Sequence, residues 1–197
     1  MNIVRVRYVQ SCIQEYFGEL RKCRILDVGC GAGIASEALA RLGHSVVGID
    51  PNTTNIDIAR EHADRSKILV DYRNASVEDI NEDFDVVVSF EVAEHVEHPK
   101  EFIKLCSKLA KNVFVISTIN RNFVSLLTAK FLAENILGML PKGTHEFEKF
   151  ITVEEMQSWM SEDGVPLEPV GLVFNPVLGE WQESSITAVN YLQASIK

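Results

Sequence analysis

An early apolar run ends in an acidic residue and three spaced glycines, a pattern suited to binding a nucleotide-like ligand. Residues 25–28 are typical of a buried strand, and Gly29, Gly31 and Gly33 follow in a sharp turn. Glycines there let a ligand approach the backbone closely. A helix beginning near Ile34 would direct its free N–H groups and its positive dipole end toward that ligand.

Two details of this turn favour S-adenosylmethionine over a dinucleotide. The dinucleotide fingerprint places a third glycine at its sixth position, where this sequence has Ile34. Asp27, at the tip of the strand, is suited to accept hydrogen bonds from a ligand ammonium group, whereas it would repel a pyrophosphate.

Three further positions at strand ends are candidate cofactor contacts. Asp50 ends the second predicted strand, and its carboxylate is suited to bind both ribose hydroxyls or, alternatively, to cap the helix that begins near Thr53. Ser76 follows the third strand, where an adenine edge would lie. Phe90 ends the fourth strand and is placed to pack on the adenine or methionine part of the ligand.

Two carboxylates and an imidazole follow Phe90. If residues 91–95 form a helical turn, Glu91, Glu94 and His95 share one face and are suited to hold a divalent cation with open coordination positions. The alternative is a capped turn whose histidine is hydrogen-bonded within the site. His145, in a later polar loop, is a candidate base or a solvated residue.

Alternating strands and amphipathic helices predict an α/β fold with a mostly parallel, doubly wound sheet. A lead-in spans 1–22, with its helix over 9–17, and an insert with a strongly apolar segment spans 120–151. A helix with Thr152 as N-cap follows, and two closing strands form an antiparallel hairpin at the sheet edge. The predicted strands are 24–29, 45–50, 67–72, 84–90, 112–118, 168–175 and 184–193, and the helices 33–42, 53–64, 99–110 and 152–161.

Composition narrows the class of protein. The 197 residues are 46% hydrophobic and 24% charged, which predicts a single domain over 1–197 with a substantial core. A formal net charge of −9 argues against nucleic-acid binding. Four cysteines without zinc spacing, no signal-peptide pattern and no long apolar run predict a cytoplasmic protein.

Several stretches resemble the ubiquinone-biosynthesis O-methyltransferases, within the class I S-adenosylmethionine-dependent methyltransferases. The glycine turn with Asp50 is common to the larger class, while more specific matches run through nearly the whole chain. These matches are Glu91-Val-Ala-Glu-His-Val96, Ser117-Thr-Ile-Asn-Arg-Asn122, Ala133-Glu-Asn-Ile-Leu137, Pro141-Lys-Gly-Thr-His145, Lys149-Phe-Ile151, Phe174-Asn-Pro176 and Val189-Asn-Tyr191.

This resemblance implies methylation of phenolic hydroxyls in polyprenylated catechol or demethylubiquinol substrates. It places the cofactor at Arg5, Gly29, Asp50 and Phe90, and Asp27, Gly31 and Ser76 complete the expected cofactor set. It also implies a divalent cation such as Mg²⁺ at Glu91, Glu94 and His95. Expected partners are the quinol substrate and a ubiquinone-biosynthesis protein complex. Family members usually carry a longer segment before the matching arginine.

Residues 123–140 are either a packed lid or a contact with the inner face of the membrane. Three other functions remain open from the sequence. A methyltransferase of this fold with another small acceptor is the nearest. An NAD-dependent oxidoreductase is disfavoured by the glycine spacing and Asp27. The third is a non-catalytic subunit that binds S-adenosylmethionine.

Overall fold

The computed structural model describes residues 1–19, 21–121 and 150–197. Elements are numbered here in chain order within that part. The helices are α1 Asn2–Phe17, α2 Ile34–Arg41, α3 Thr53–Ser66, α4 Pro99–Leu109 and α5 Val153–Met160, with a 3₁₀ turn at Val77–Asp79. The strands are β1 Arg24–Val28, β2 Ser45–Asp50, β3 Asp71–Asn74, β4 Phe84–Phe90, β5 Ala110–Ile119, β6 Val165–Pro166, β7 Val170–Asn175, β8 Glu180–Ser184 and β9 Asn190–Ile196.

The strands of the described part join one sheet in the order β3-β2-β1-β4-β5-β9-β7-β8, with β6 paired to β9. Strands β1 to β5 are parallel, and β9 runs antiparallel to β5. The predicted α/β architecture is therefore confirmed. Because parallel strands carry their carboxyl ends to the same edge, the loops after β1, β2 and β4 meet there.

Alternating strand residues build a core on each face of the sheet. On one face, Phe114 and Ile116 of β5 pack with residues of α4 and α5. On the opposite face, Val113 and Val115 pack with α1 and α2. This alternation follows from the two-residue period of a strand. The same alternation places Ser117 and Thr118, farther along β5, on opposite sides of the sheet.

Local signals define several helix ends. Gly18 ends α1 in the left-handed conformation, with φ 74°, and Pro99 is the first residue of α4. Thr152 caps α5 by accepting from the Glu155 N–H, and Glu155 accepts from the Thr152 N–H, as the sequence predicts. Helix α1 begins at Asn2, seven residues before the predicted start, which brings Arg5 into the fold.

Two strand predictions need correction. The predicted strand 67–72 is β3 at Asp71–Asn74, because Lys67 caps α3 in the left-handed conformation and Leu69 is exposed. At the carboxyl end, the predicted strand 184–193 is two strands. Strand β8 forms the edge hairpin with β7, while β9 lies between β5 and β7.

Most of the predicted insert 120–151, including the apolar segment 123–140 and His145, lies outside the described residues. The single-domain prediction for 1–197 therefore stays a prediction. In the parts of the chain that the structure describes, no helix has the length and apolar character needed to cross a membrane.

Candidate active site

The turn after β1 is held against β2 by its own backbone. The N–H groups of Gly29 and Cys30 both donate to the carbonyl of Ile49, at 2.8 and 2.9 Å. Gly29 has φ 74°, and a Cβ there would lie 2.4 Å from Cγ2 of Val92. Only glycine satisfies both the backbone angle and the close approach of the loop after β4.

Asp50 binds this turn directly. Its Oδ2 accepts from the Gly31 N–H at 3.0 Å, and its Oδ1 accepts from the Asn52 N–H and from Asn55 Nδ2, at 2.8 and 3.2 Å. The cap of α3 is Asn52, which accepts from the Thr54 N–H, so the capping interpretation of Asp50 is wrong. Because a carboxylate has about four acceptor positions, Oδ2 keeps about one for a ligand.

Asp27 is almost completely buried at the tip of β1, with 2% of its surface exposed. Its Oδ2 accepts from Ser36 Oγ at 2.5 Å, which ties it to the first turn of α2. Burial raises the pKa of Asp27 to about 6, and the Ser36 hydrogen bond opposes that rise. A cationic group of a ligand would therefore stabilise the charged form of Asp27.

Gly29 lines two cavities. One, of about 180 Å³, is lined by Arg5, Asp27, Gly29, Phe90 and Glu91 among others. The other, of about 120 Å³, is lined mostly by apolar residues such as Val28 and Ile49, together with Ser76 and Glu78, and is called the apolar cavity below. Cofactor-sized ligands need a pocket with an apolar part and a few convergent polar groups. The two cavities together offer both.

Ser76 lines the apolar cavity, but its polar atoms already have a partner. Its N–H and its hydroxyl both donate to Asp79 Oδ2, each at 2.9 Å. These bonds lower the pKa of Asp79. A contact between this position and an adenine edge therefore stays a prediction.

Arg5 reaches the polar cavity from α1, although it is 4% exposed. Its Nη2 donates to Glu91 Oε1 at 2.6 Å, and its Nη1 donates to Asn2 Oδ1 at 3.2 Å. The guanidinium carbon lies 5.5 Å from the centre of the Phe90 ring, within the range of a cation–π contact. Arg5, Phe90 and Glu91 thus form one wall.

The predicted metal ligands are not brought together. Glu91 has φ 58°, so the helical turn that would align residues 91–95 does not form. Ser117 Oγ donates to Glu91 Oε1 and Thr118 Oγ1 donates to Glu94 Oε2. Since successive residues of β5 face opposite sides of the sheet, the two carboxylates are bound by hydroxyls from opposite sides.

His95 is exposed, and its backbone N–H donates to the Val92 carbonyl in a turn. No group of three or more His, Cys, Asp or Glu side chains is arranged for a metal ion within 1–19, 21–121 and 150–197. As arranged here, Glu91, Glu94 and His95 do not fit a shared ion. The metal site implied by the resemblance stays a prediction.

Glu94 is a second buried carboxylate near the site. Burial, and then the charge of Glu91, raise the pKa of Glu94 to about 7. Its Oε2 accepts from Thr118 at 2.8 Å, while its Oε1 is buried without a hydrogen-bond partner. An unpartnered buried acceptor is costly in a folded protein, and such atoms often mark a functional position.

Comparison with known proteins gives the family. Residues 26–113 match the model of a methyltransferase domain. A ubiquinone biosynthesis O-methyltransferase from Roseobacter denitrificans is 44% identical over all of this chain and 85% of its own length. The protein of that name from Cereibacter sphaeroides is 41% identical over the same shares. The chain belongs to the ubiquinone biosynthesis O-methyltransferase family. It is an S-adenosylmethionine-dependent methyltransferase.

Solved structures support the fold of this O-methyltransferase. The magnesium protoporphyrin IX methyltransferase of Synechocystis PCC 6803, with bound S-adenosylhomocysteine, gives a TM-score of 0.74 at 17% identity. The match spans 98% of this chain and 82% of the Synechocystis chain. The plantazolicin methyltransferase BpumL, also with S-adenosylhomocysteine, gives 0.71 at 16% identity, with coverage of 100% and 83%. The class I methyltransferase fold is confirmed.

The residues present in this O-methyltransferase fit S-adenosylmethionine. Gly31 has φ 53°, and a Cβ there would meet no atom within 4 Å, so the turn is open on that side. Asp27 and Arg5 supply opposite charges on the same cavity, and the second cavity is lined mostly by apolar residues. The arrangement suits a ligand with a charged amino-acid end and a planar base.

Four residues of this site were not predicted as site residues from the sequence. Asn2 and Cys30 line the polar cavity, and the hydroxyls of Ser117 and Thr118 hold the two glutamates. Ser117 and Thr118 end a parallel strand at the ligand edge, a position from which such a role is predictable. The contact of Asn2 depends on the early start of α1 and has no local signal.

Proposed function

We propose that this chain transfers the methyl group of S-adenosylmethionine to a phenolic hydroxyl of a polyprenylated catechol or demethylubiquinol. The observation that carries this proposal is the 44% identity, over the whole chain, to a relative named ubiquinone biosynthesis O-methyltransferase. The methionine part of the cofactor is proposed to occupy the polar cavity and its adenine the apolar one. The ribose then lies at Gly31 and Asp50.

Each proposed cofactor residue has a physical role. Arg5 would bind the carboxylate of the methionine part, Asp27 its ammonium group and Asp50 a ribose hydroxyl. Phe90 would pack against the methionine part, because its ring lines that cavity. Ser76 would contact the adenine edge from the apolar cavity. Their shared task is alignment, since the reacting atoms must be held about 3–3.5 Å apart.

When bound, S-adenosylmethionine supplies the methyl group; the C–O bond forms as the C–S bond breaks and its electron pair stays on sulfur. The phenol must also lose its proton, because an unperturbed pKa of about 10 leaves little phenolate at neutral pH. A divalent cation would lower that pKa when a catechol binds it. Since Glu91, Glu94 and His95 do not form a shared site here, we assign no step to it.

The proposed activity is tested with labelled S-adenosylmethionine and a demethylated quinol, measured beside an unrelated catechol of similar acidity. We expect methylation of the quinol with a kcat/KM at least tenfold above that of the catechol. Equal turnover of both would favour a methyltransferase with another small acceptor. Cofactor binding without any turnover would favour a non-catalytic subunit.

The cation is tested separately from activity. Isothermal titration of the metal-free protein with Mg²⁺ tests the predicted ligands. Binding that weakens in Glu94→Gln would support them, and absence of binding would agree with the arrangement of Glu91, Glu94 and His95 described above. His145 is a candidate base for the phenolic proton, and loss of turnover with retained cofactor binding in His145→Ala would support that role.

We also propose that the protein is cytoplasmic and contacts the inner face of the membrane through residues 123–140. The support is the apolar character of that segment and the long tail of the proposed substrate. Charged substitutions at Leu127 and Phe131 should reduce co-sedimentation with liposomes. Unchanged co-sedimentation would exclude direct contact.

Association with a ubiquinone-biosynthesis protein complex is a further expectation from the family, and it is tested by co-purification from cells.

A further inference from the structure

The polar cavity beside Gly29 carries an excess of one negative charge. Among the described residues that line it, Asp27 and Glu91 bear carboxylates and Arg5 bears the guanidinium. The remaining lining residues are uncharged. Glu94 does not line this cavity, and Thr118 holds it on the other side of β5.

Glu91 is held rigidly in this cavity. Its backbone is in the left-handed conformation, which is uncommon for a glutamate, and its N–H donates to the Ser117 carbonyl at 3.0 Å. The Ser117 hydroxyl donates to Glu91 Oε1 at 2.9 Å, and Arg5 Nη2 donates to the same oxygen. Ser117 therefore fixes both the backbone and the side chain of Glu91.

S-adenosylmethionine carries one more positive charge than its product, S-adenosylhomocysteine. The methionine part of S-adenosylmethionine carries a sulfonium, an ammonium and a carboxylate, whereas S-adenosylhomocysteine carries only the last two. If Arg5 balances the carboxylate and Asp27 the ammonium, the negative charge that remains is that of Glu91. Arg5 also binds Glu91, so its charge is shared between two carboxylates. The one excess negative charge of the cavity is therefore balanced by the sulfonium and not by the neutral thioether.

We propose that Glu91 is a specificity-determining residue that makes the site prefer S-adenosylmethionine over S-adenosylhomocysteine. This inference rests on the proposed function. It places the charge of Glu91 in the polar cavity, in agreement with its contacts to Arg5 and Ser117. Product release is then favoured by the loss of one positive charge on sulfur.

The test is isothermal titration of each protein with S-adenosylmethionine and with S-adenosylhomocysteine, in EDTA. We expect the ratio of the two Kd values to shift toward S-adenosylhomocysteine by about fivefold in Glu91→Gln, the scale of one nearby charge. Ser117→Ala should shift it in the same direction by less. The matched control is Glu82→Gln, which removes an arginine-paired carboxylate before β4, beside Arg24 at the start of β1.

An unchanged ratio in Glu91→Gln, in a protein that still binds S-adenosylmethionine, would overturn the inference and leave the proposed function standing. A shift that occurs only when Mg²⁺ replaces EDTA would also overturn it, in favour of a metal ligand. Binding of neither compound by the wild type would reject the proposed function itself. If Glu91→Gln does not fold, by circular dichroism, the Ser117→Ala ratio decides.

Discussion

Arg5 and Glu91, 86 residues apart in the chain, form an ion pair of 2.6 Å that joins α1 to the loop after β4. Burial lowers the pKa of Arg5, and the charge of Glu91 opposes that shift, so each group compensates for the burial of the other. The pair closes one wall of the polar cavity. It also explains how α1 comes to line the proposed cofactor cavity.

The pair should behave as a unit in stability measurements. Arg5→Met leaves the Glu91 carboxylate without its cation and is expected to cost about 2–3 kcal/mol of unfolding free energy. The double variant Arg5→Met/Glu91→Gln should recover part of that loss, because it removes the unpaired charge. Urea denaturation of the four proteins of the cycle measures this. Strictly additive losses would show that the two side chains do not interact.

Gly29 and Gly31 provide a matched pair of substitutions in the same turn. Both have positive φ, so alanine is strained at each, but only at Gly29 would the new Cβ meet Val92, at 2.4 Å. Gly29→Ala should therefore lose about 1–3 kcal/mol more stability than Gly31→Ala. Thermal unfolding of both proteins checks the difference, and partial rescue of Gly29→Ala by Val92→Ala would identify the clash as its cause.

Asp27 should give the protein a measurable pH dependence. Because burial raises its pKa to about 6, from an ordinary 3.8, the folded state favours the protonated form. Its contribution to stability is therefore complete below about pH 4 and is lost as the pH rises through 6. Asp27→Asn removes this loss and should be more stable than the wild type at pH 7.5, by up to about 3 kcal/mol.

The same Asp27→Asn variant should bind S-adenosylmethionine less tightly, since a neutral amide attracts an ammonium group weakly. Unfolding curves at pH 4, 5.5 and 7.5, with cofactor titrations at pH 7.5, measure both effects. The control is Asp57→Asn, because the Asp57 side chain is exposed. Equal stability of Asp27→Asn and the wild type at every pH would contradict the raised pKa.

Asp50 should combine a structural role with a binding role. Asp50→Ala leaves the donors on Gly31, Asn52 and Asn55 without their acceptor, so we expect a loss of about 2–4 kcal/mol of stability. Asp50→Asn keeps one acceptor oxygen and should lose less. A thermal-shift series with added S-adenosylmethionine separates the two roles. Full stabilisation of both Asp50→Ala and Asp50→Asn by cofactor would exclude a ribose contact.

Local rules in the sequence determined much of the fold. The signals for a strand over 112–118, for the proline that begins α4 and for the capping box of Thr152 and Glu155 each lie within a few consecutive residues, and the structure has these features as predicted. The glycine turn belongs to the same class of signal, because positive φ and close approach demand a particular residue type. Such signals need no knowledge of the rest of the chain.

The insertion of β9 between β5 and β7 depended on tertiary structure, because strand order at a sheet edge is set by pairing partners distant in sequence. The positions of Glu91 and Glu94 after β4 also depended on tertiary structure. Their spacing suggested one face of a helical turn, yet Glu91 adopts positive φ and neighbouring hydroxyls of β5 hold Glu91 and Glu94 apart. The sequence by itself placed Asp27, Asp50 and Phe90 at the ends of parallel strands. Only the tertiary structure decided which side chains pair, since the partners of a buried charge come from other elements and are chosen by packing.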